Sequence, residues 1–303
     1  MQQIAQLFLI LIMGYAVVKA GLLKASDSRV LSVVMVYLVT PCVIINAFQI
    51  DDTPEIRKGL LYSMAIAAAI HVVLLVLSAL LSRPLKLDAV EQVNVIYSNA
   101  AALVIPLVKA LMGDAYVIYS CAFIIVQLVL LWTHASSLLQ GSSALDWKKV
   151  LTNINMIAIA AGALLYWFRV VLPAPLQNTM STVGNMMGPM GMLLAGMAIA
   201  EKPLREVFCT RRNYLPTVLR LVVCPLVVLV LLWVCHASSW VADGKNILMT
   251  VYLAAITPAC ATVTSMAQLY DRDAAHSSAL YVLTTLLSIV SMPIMIGLFD
   301  LLL

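Results

Sequence analysis

Residues 97–114 read YSNAAALVIPLVKALMGD, and residues 256–273 read ITPACATVTSMAQLYDRD. Both stretches belong to longer apolar runs, and both set a proline among small, hydroxylated or amide side chains. The first has Tyr97, Ser98 and Asn99 ahead of Ala100 to Ala102 and Pro106; the second has Thr257 and Pro258 ahead of Cys260, Thr262, Thr264 and Ser265. Proline lacks the backbone N–H an α-helix needs and frees a carbonyl one turn earlier, so each helix is expected to kink or open there. The segments after Pro106 and Pro258 would then start near mid-membrane with unpaired amides of partial positive charge. Such helix ends stabilise a carboxylate without a buried lysine. Asn99, Thr257, Thr262 and Thr264 are expected to add orienting hydrogen bonds. The plainer role of Ser, Thr and Asn in apolar helices is to satisfy backbone groups or knit neighbours together.

Outward from these stretches, the chain is 303 residues long, 63% hydrophobic and 11% charged. Soluble domains are nearer a quarter charged, so the composition excludes a soluble fold. A span needs roughly 20 apolar residues, and apolar runs predict about ten helices. They fall at 3–20, 28–50, 58–82, 89–113 and 115–138, then 149–172, 178–201, 211–236, 244–270 and 274–302. The fold expected is an all-α membrane protein of two five-helix repeats, residues 1–140 and 141–303. Five is an odd number, so the second copy enters the membrane from the opposite face and the repeats are inverted. Helix breakers recur at half-chain spacing: Pro189 follows Pro41 by 189 − 41 = 148 residues, and Pro258 follows Pro106 by 258 − 106 = 152.

Charge narrows the function further. The 18 Lys and Arg are scattered in ones and twos, which excludes a nucleic-acid-binding stripe. With ten crossings, 12 of them gather on one side: Lys19, Lys24, Arg29, Arg83, Lys86, Lys148, Lys149, Lys202, Arg205, Arg211, Arg212 and Arg272. The other side holds Arg57, Lys58, Lys109, Arg169 and Lys245. Cytoplasmic loops carry the excess of Lys and Arg, which places both termini on the non-cytoplasmic side. In the first apolar run Lys19 and Lys24 follow the hydrophobic stretch instead of preceding it, the pattern of a retained span and not of a signal peptide.

Six cysteines without a CxxC pair and four dispersed histidines predict no metal site, and no cofactor motif is present. All 14 carboxylates lie in loops or near helix ends, Asp51, Asp52 and Asp146 among them, which disfavours an exchanger built on a buried aspartate pair. Glu91, at the start of the fourth span, is the nearest candidate for proton coupling and otherwise an interfacial anchor. Arg220, inside the eighth span, either attracts an anion or, more ordinarily, snorkels to the interface, as Lys109 is expected to do. Asn46 with Thr40 near Pro41, and Asn185 near Pro189, form a second polar pair that would line the same cavity. Gly184, Gly188, Gly191 and Gly196 are read as sites of close helix packing.

The stretch MGYAVVKAGLLKASDSRVLSVVMVYLVTPCVIINAF from Met13 to Phe48, together with NAAALVIPLVKALMGD (99–114) and ITPACATVTSMAQLYDRD (256–273), resembles the auxin efflux carrier family, which includes plant PIN proteins and bacterial dicarboxylate carriers. The resemblance implies a ten-helix inverted-repeat fold with broken crossover helices 4 and 9 and an elevator-like motion. It implies that Pro106, Pro258 and Asn99 mark the crossover, that the substrate is an organic anion and that a homodimer forms. Only about ten residues separate the fifth and sixth spans, so the long loop of many plant members is missing and a compact bacterial-type carrier of the inner membrane is expected.

The function expected is therefore alternating-access transport of a small carboxylate, coupled to a proton or sodium ion, with no metal, cofactor or nucleic acid. The alternative is a membrane receptor or sensor that keeps the carrier fold. An intramembrane enzyme has no nucleophile and base to support it; His71, His134 and Ser288 are read as packing residues.

Overall fold

The computed structural model describes residues 2–49, 53–141, 148, 151–152, 154–201 and 204–303. Asp51, Asp52, Asp146, Lys149 and Lys202 lie outside them. The chain opens with α1 (Gln2–Lys19), then α2 (Ser28–Val34) and α3 (Thr40–Ala47), joined by a π-helical turn at Met35–Val39. Next come α4 (Pro54–Ser82), the pair α5 (Ala89–Ile96) and α6 (Ala100–Leu111), and α7 (Val117–Leu130) with α8 (Ser136–Gln140) around a second π turn at Leu131–Ala135. The later part has α9 (Ile154–Trp167), α10 (Ala174–Gly184), α11 (Met187–Glu201) and α12 (Leu204–Cys209). It ends with α13 (Tyr214–Val218) and α14 (Cys224–Val234) around a third π turn at Leu219–Val223, then α15 (Gly244–Ile256), α16 (Ala261–Leu269) and α17 (Ala274–Leu302). Among the described residues the only strand-type pairing is one antiparallel bridge, Ser98 to Ala259.

Among the described residues four helical stretches are long and apolar enough to cross a bilayer: Pro54–Ser82, Asp114–Gln140, Arg211–Val234 and Ala274–Leu302. The first starts at Pro54, ahead of the expected 58, because the Thr53 hydroxyl accepts the Ile56 amide at 3.3 Å and Pro54 needs no hydrogen bond in the first turn. Along it Ile66, Ile70 and Leu74 are buried at helical spacing while Leu61 and Leu80 are about 70% exposed. Water would not tolerate so apolar an outside; lipid does. The protein is a multi-pass membrane protein.

Two of the π turns stop two residues short of a proline, at Pro41 and at Pro225. The wider turn absorbs the hydrogen bond that proline cannot make, and after the first the Thr40 hydroxyl donates to the Met35 carbonyl at 2.8 Å. The expected seventh span, 178–201, is instead two helices separated at Asn185 and Met186. Pro189, in the first turn of α11, has no N–H for the Asn185 carbonyl, so the interruption falls ahead of it. Glycine does bring helices close: a Cβ at Gly196 would strike the Leu11 carbonyl, one at Gly14 the Leu193 carbonyl, and one at Gly184 would lie 2.9 Å from a Val43 methyl. Thus α1 and α11 lie backbone to backbone.

Helix ends assigned from sequence to one side meet at one end of the molecule. Asp88, Glu91, Arg212 and His276 meet there, and Arg272 donates to the Leu139 carbonyl at 2.6 Å. At the opposite end Lys109, Asp114 and Asn185 gather, and Tyr116 donates to Asp243 at 2.6 Å.

Candidate transport site

Both predicted helix interruptions exist, but the first is not at Pro106. The chain leaves the helix at Tyr97 (φ −94°, ψ 125°) and re-enters after Asn99 (φ −80°, ψ 42°), whereas Pro106 sits inside α6, about two turns further on. Proline inside a helix forfeits one hydrogen bond, and α6 carries that loss without opening. What opens the first helix is a set of better partners outside it. The Asn99 amide donates to the Pro258 carbonyl at 2.8 Å and the Cys260 amide to the Tyr97 carbonyl at 3.1 Å, zipping the two interruptions together antiparallel. Gln127 then acts as a third strand. Its Oε1 accepts the Ser98 amide at 3.0 Å and the Ser98 hydroxyl at 2.7 Å, while its Nε2 donates to the Ser98 carbonyl at 2.8 Å. On the other side the Thr284 hydroxyl accepts the Ala259 amide at 3.1 Å. The proline pair 106 and 258 is therefore not the structural correspondence; Ser98 faces Ala259.

The second interruption does lie at its proline. Pro258 cannot donate to the Ala254 carbonyl, and the Thr257 hydroxyl does so instead at 3.1 Å. Thr257 is fully buried in that role. Thr262, in the first turn of α16, is exposed. Thr264 meets Ser277 at 3.0 Å, and Ser277 also accepts from Asn94 at 3.1 Å; the Oδ1 of Asn94 is buried without a partner. The Asn99 side chain, 6% exposed, does not cap α6.

Arg220 neither snorkels nor faces a solute. It is 1% exposed, turned inward by the π turn at Leu219–Val223, and its guanidinium ends on main-chain oxygens. Nε donates to Thr257 (3.0 Å), Nη1 to Val95 (3.1 Å) and Ile96 (3.2 Å), and Nη2 to Ala255 (2.6 Å) and Thr257 (2.7 Å). These carbonyls are the ones the interruptions orphan, because in a continuous helix each would accept an amide four residues on. The cost of burying the charge is offset by the negative ends of two helices, α5 and α15.

The remaining candidates divide between other places. Asn46 lines a pocket with Lys109, Asp114, Ser181 and Gly184, its Oδ1 buried and unpartnered. Asn185 lines the adjoining pocket with Pro106, Lys109 and Pro189, and accepts from Lys109 at 3.2 Å. Lys109 joins the two pockets and pairs with Asp114 at 3.1 Å near the end of α6. Beside the start of α6 lies an apolar cleft, lined by Leu103, Leu107, Leu11, Met192, Thr285 and Ser288.

Glu91 is buried at the far end of α5. It forms a capping box with Asp88, accepts Arg212 at 2.7 Å and lies 3.2 Å from His276 Nε2. Asp88, Glu91 and His276 are the one grouping of possible metal ligands among the described residues, yet Arg212 already bonds both carboxylates. His134 is more than packing, since its Nδ1 meets the Tyr97 hydroxyl at 2.9 Å. His71 packs on Phe123 with ring centroids 4.6 Å apart.

Interrupted apolar helices paired at a buried polar crossing define a membrane transporter. A family model described as "Membrane transport protein" matches residues 1–149 and 142–296. The chain belongs to that family, the auxin efflux carriers. No curated protein compared with the chain matches it.

Proposed function

We propose that the protein is a secondary carrier for a small organic anion, a mono- or dicarboxylate, bound where the amide ends of α6 and α16 meet beside Asn99. The observation that carries this reading is the antiparallel pairing of the two interruptions, which brings two helix N-termini together at the crossing. Two such ends attract a carboxylate. Arg220, with all five N–H groups engaged, is not available as its partner. Asn99 is not spent on capping its own helix, and Thr262 is exposed in the first turn of α16. The cleft along Leu103 and Leu107 suits the apolar body of such an anion.

In this reading the chain crosses the inner membrane ten times as two inverted halves, with both termini outside the cytoplasm. The bundle holding both interruptions moves against α1 to α3 and α9 to α11 in alternating access, and a homodimer supplies a fixed frame. Thr257 and Pro258 shape the crossing, while Asn46, Pro106 and Asn185 line the path around Lys109. Glu91, beside His276, is the group through which a coupling proton would act.

Counterflow of labelled carboxylates into proteoliposomes tests the proposal. Wild type is expected to accumulate at least one of them, and Asn99→Ala to lose about tenfold or more of that uptake, the value of one hydrogen bond to a charged group. Binding without movement of solute would establish a receptor instead.

A further inference from the structure

We propose that Arg220 is the resident cation of the crossing, holding the carbonyl cage that a sodium ion would otherwise take, so that the carrier loads its anion without a metal-ion partner. The inference rests on the carrier reading above.

In broken-helix carriers the main-chain oxygens at half-helix C-termini are where coupling cations bind. Here four such oxygens converge from both interrupted helices: Val95 and Ile96 at the end of α5, Ala255 and Thr257 at the end of α15. A guanidinium has five N–H donors in a planar fork, and each of the five has one of these oxygens within 3.2 Å. None of the ion pairs among the described residues includes Arg220, so its counter-charge is the carbonyls themselves. A metal ion entering the cage would meet a fixed positive charge already seated on its ligands. Arginine keeps that charge at every physiological pH, which makes it a constant part of the site, unlike an ion that arrives with each turnover. On the far side of the same crossing the amide ends of α6 and α16 start, and the buried charge adds to the field an anion meets there.

The test has two arms. In the first, wild-type protein is melted and assayed for uptake in sodium chloride and in N-methylglucamine chloride. Equal melting temperatures and equal uptake are expected; uptake that requires sodium overturns the proposal. In the second, Arg220→Ala is melted with guanidinium, sodium or urea at equal concentrations of tens of millimolar. Guanidinium and, more weakly, sodium are expected to raise the melting temperature by several degrees, while urea, which has the fork's shape without its charge, does not. A variant indifferent to every solute, or rescued by urea as well as by guanidinium, overturns the proposal. Should Arg220→Ala not fold, the wild-type arm still decides. Melting needs no organic anion, so a failure of the carrier reading in the counterflow assay is read separately from a failure here.

Discussion

Gln127 makes with one side chain the bonds a neighbouring strand would make, and Ser98 depends on it for both its main-chain groups. Leaving a buried donor or acceptor unpaired costs about 1–3 kcal/mol each. Gln127→Leu is therefore expected to destabilise the protein by roughly 2–6 kcal/mol, seen as a lower melting temperature in detergent. At this scale the sequence is partly legible. Pro258 announces its interruption because the missing N–H is a property of the residue itself. Gln127 and Thr284 announce nothing, since each matters only through a partner 29 or 25 positions away. Arg220 stands out as a charge inside a span, but its task depends on carbonyls that are orphaned only once both helices have opened.

At the level of elements, the bridge sets Ser98 opposite Ala259 between the bonds Asn99 to Pro258 and Cys260 to Tyr97. That is a non-hydrogen-bonded pair, whose Cα atoms lie about 4.5 Å apart, within reach of a disulfide. Ser98→Cys with Ala259→Cys, in a background without native cysteines, is expected to cross-link on oxidation; a protease site introduced between residues 141 and 154 makes the link visible on a gel. Absence of the link would mean the two helices do not cross as described. The glycines offer a second measurement. Gly196→Ala puts a methyl on the Leu11 carbonyl and should lower the melting temperature, whereas Gly297→Ala meets nothing within 4 Å in α17. The second change should be neutral or stabilising by about 0.5–1 kcal/mol. Element positions were largely readable from hydropathy. The site of the first opening is not legible there, because the tertiary partners of residues 97–99 open the helix and Pro106 does not.

For the molecule as a whole, composition alone excluded a soluble fold, and the outward-facing apolar side chains agree. Orientation rests on the uneven spread of Lys and Arg, and two native thiols report it. Cys209 and Cys235 are exposed, at the two ends of the stretch that contains Arg211–Val234, while Cys121, Cys224 and Cys260 are buried. A membrane-impermeant maleimide applied to intact cells is expected to label Cys235 and spare Cys209, with the reverse in inside-out vesicles; the opposite pattern would invert the topology.

Two main-chain links, from residue 99 to 258 and from 260 to 97, stitch the two openings into a single knot, and Arg220 rivets the same knot from behind. Neither strand of it can slide without dragging the other. In the carrier proposed above, cargo resting on it would travel with the whole knot, and access would be regulated by the walls the knot passes and not by any loosening within it.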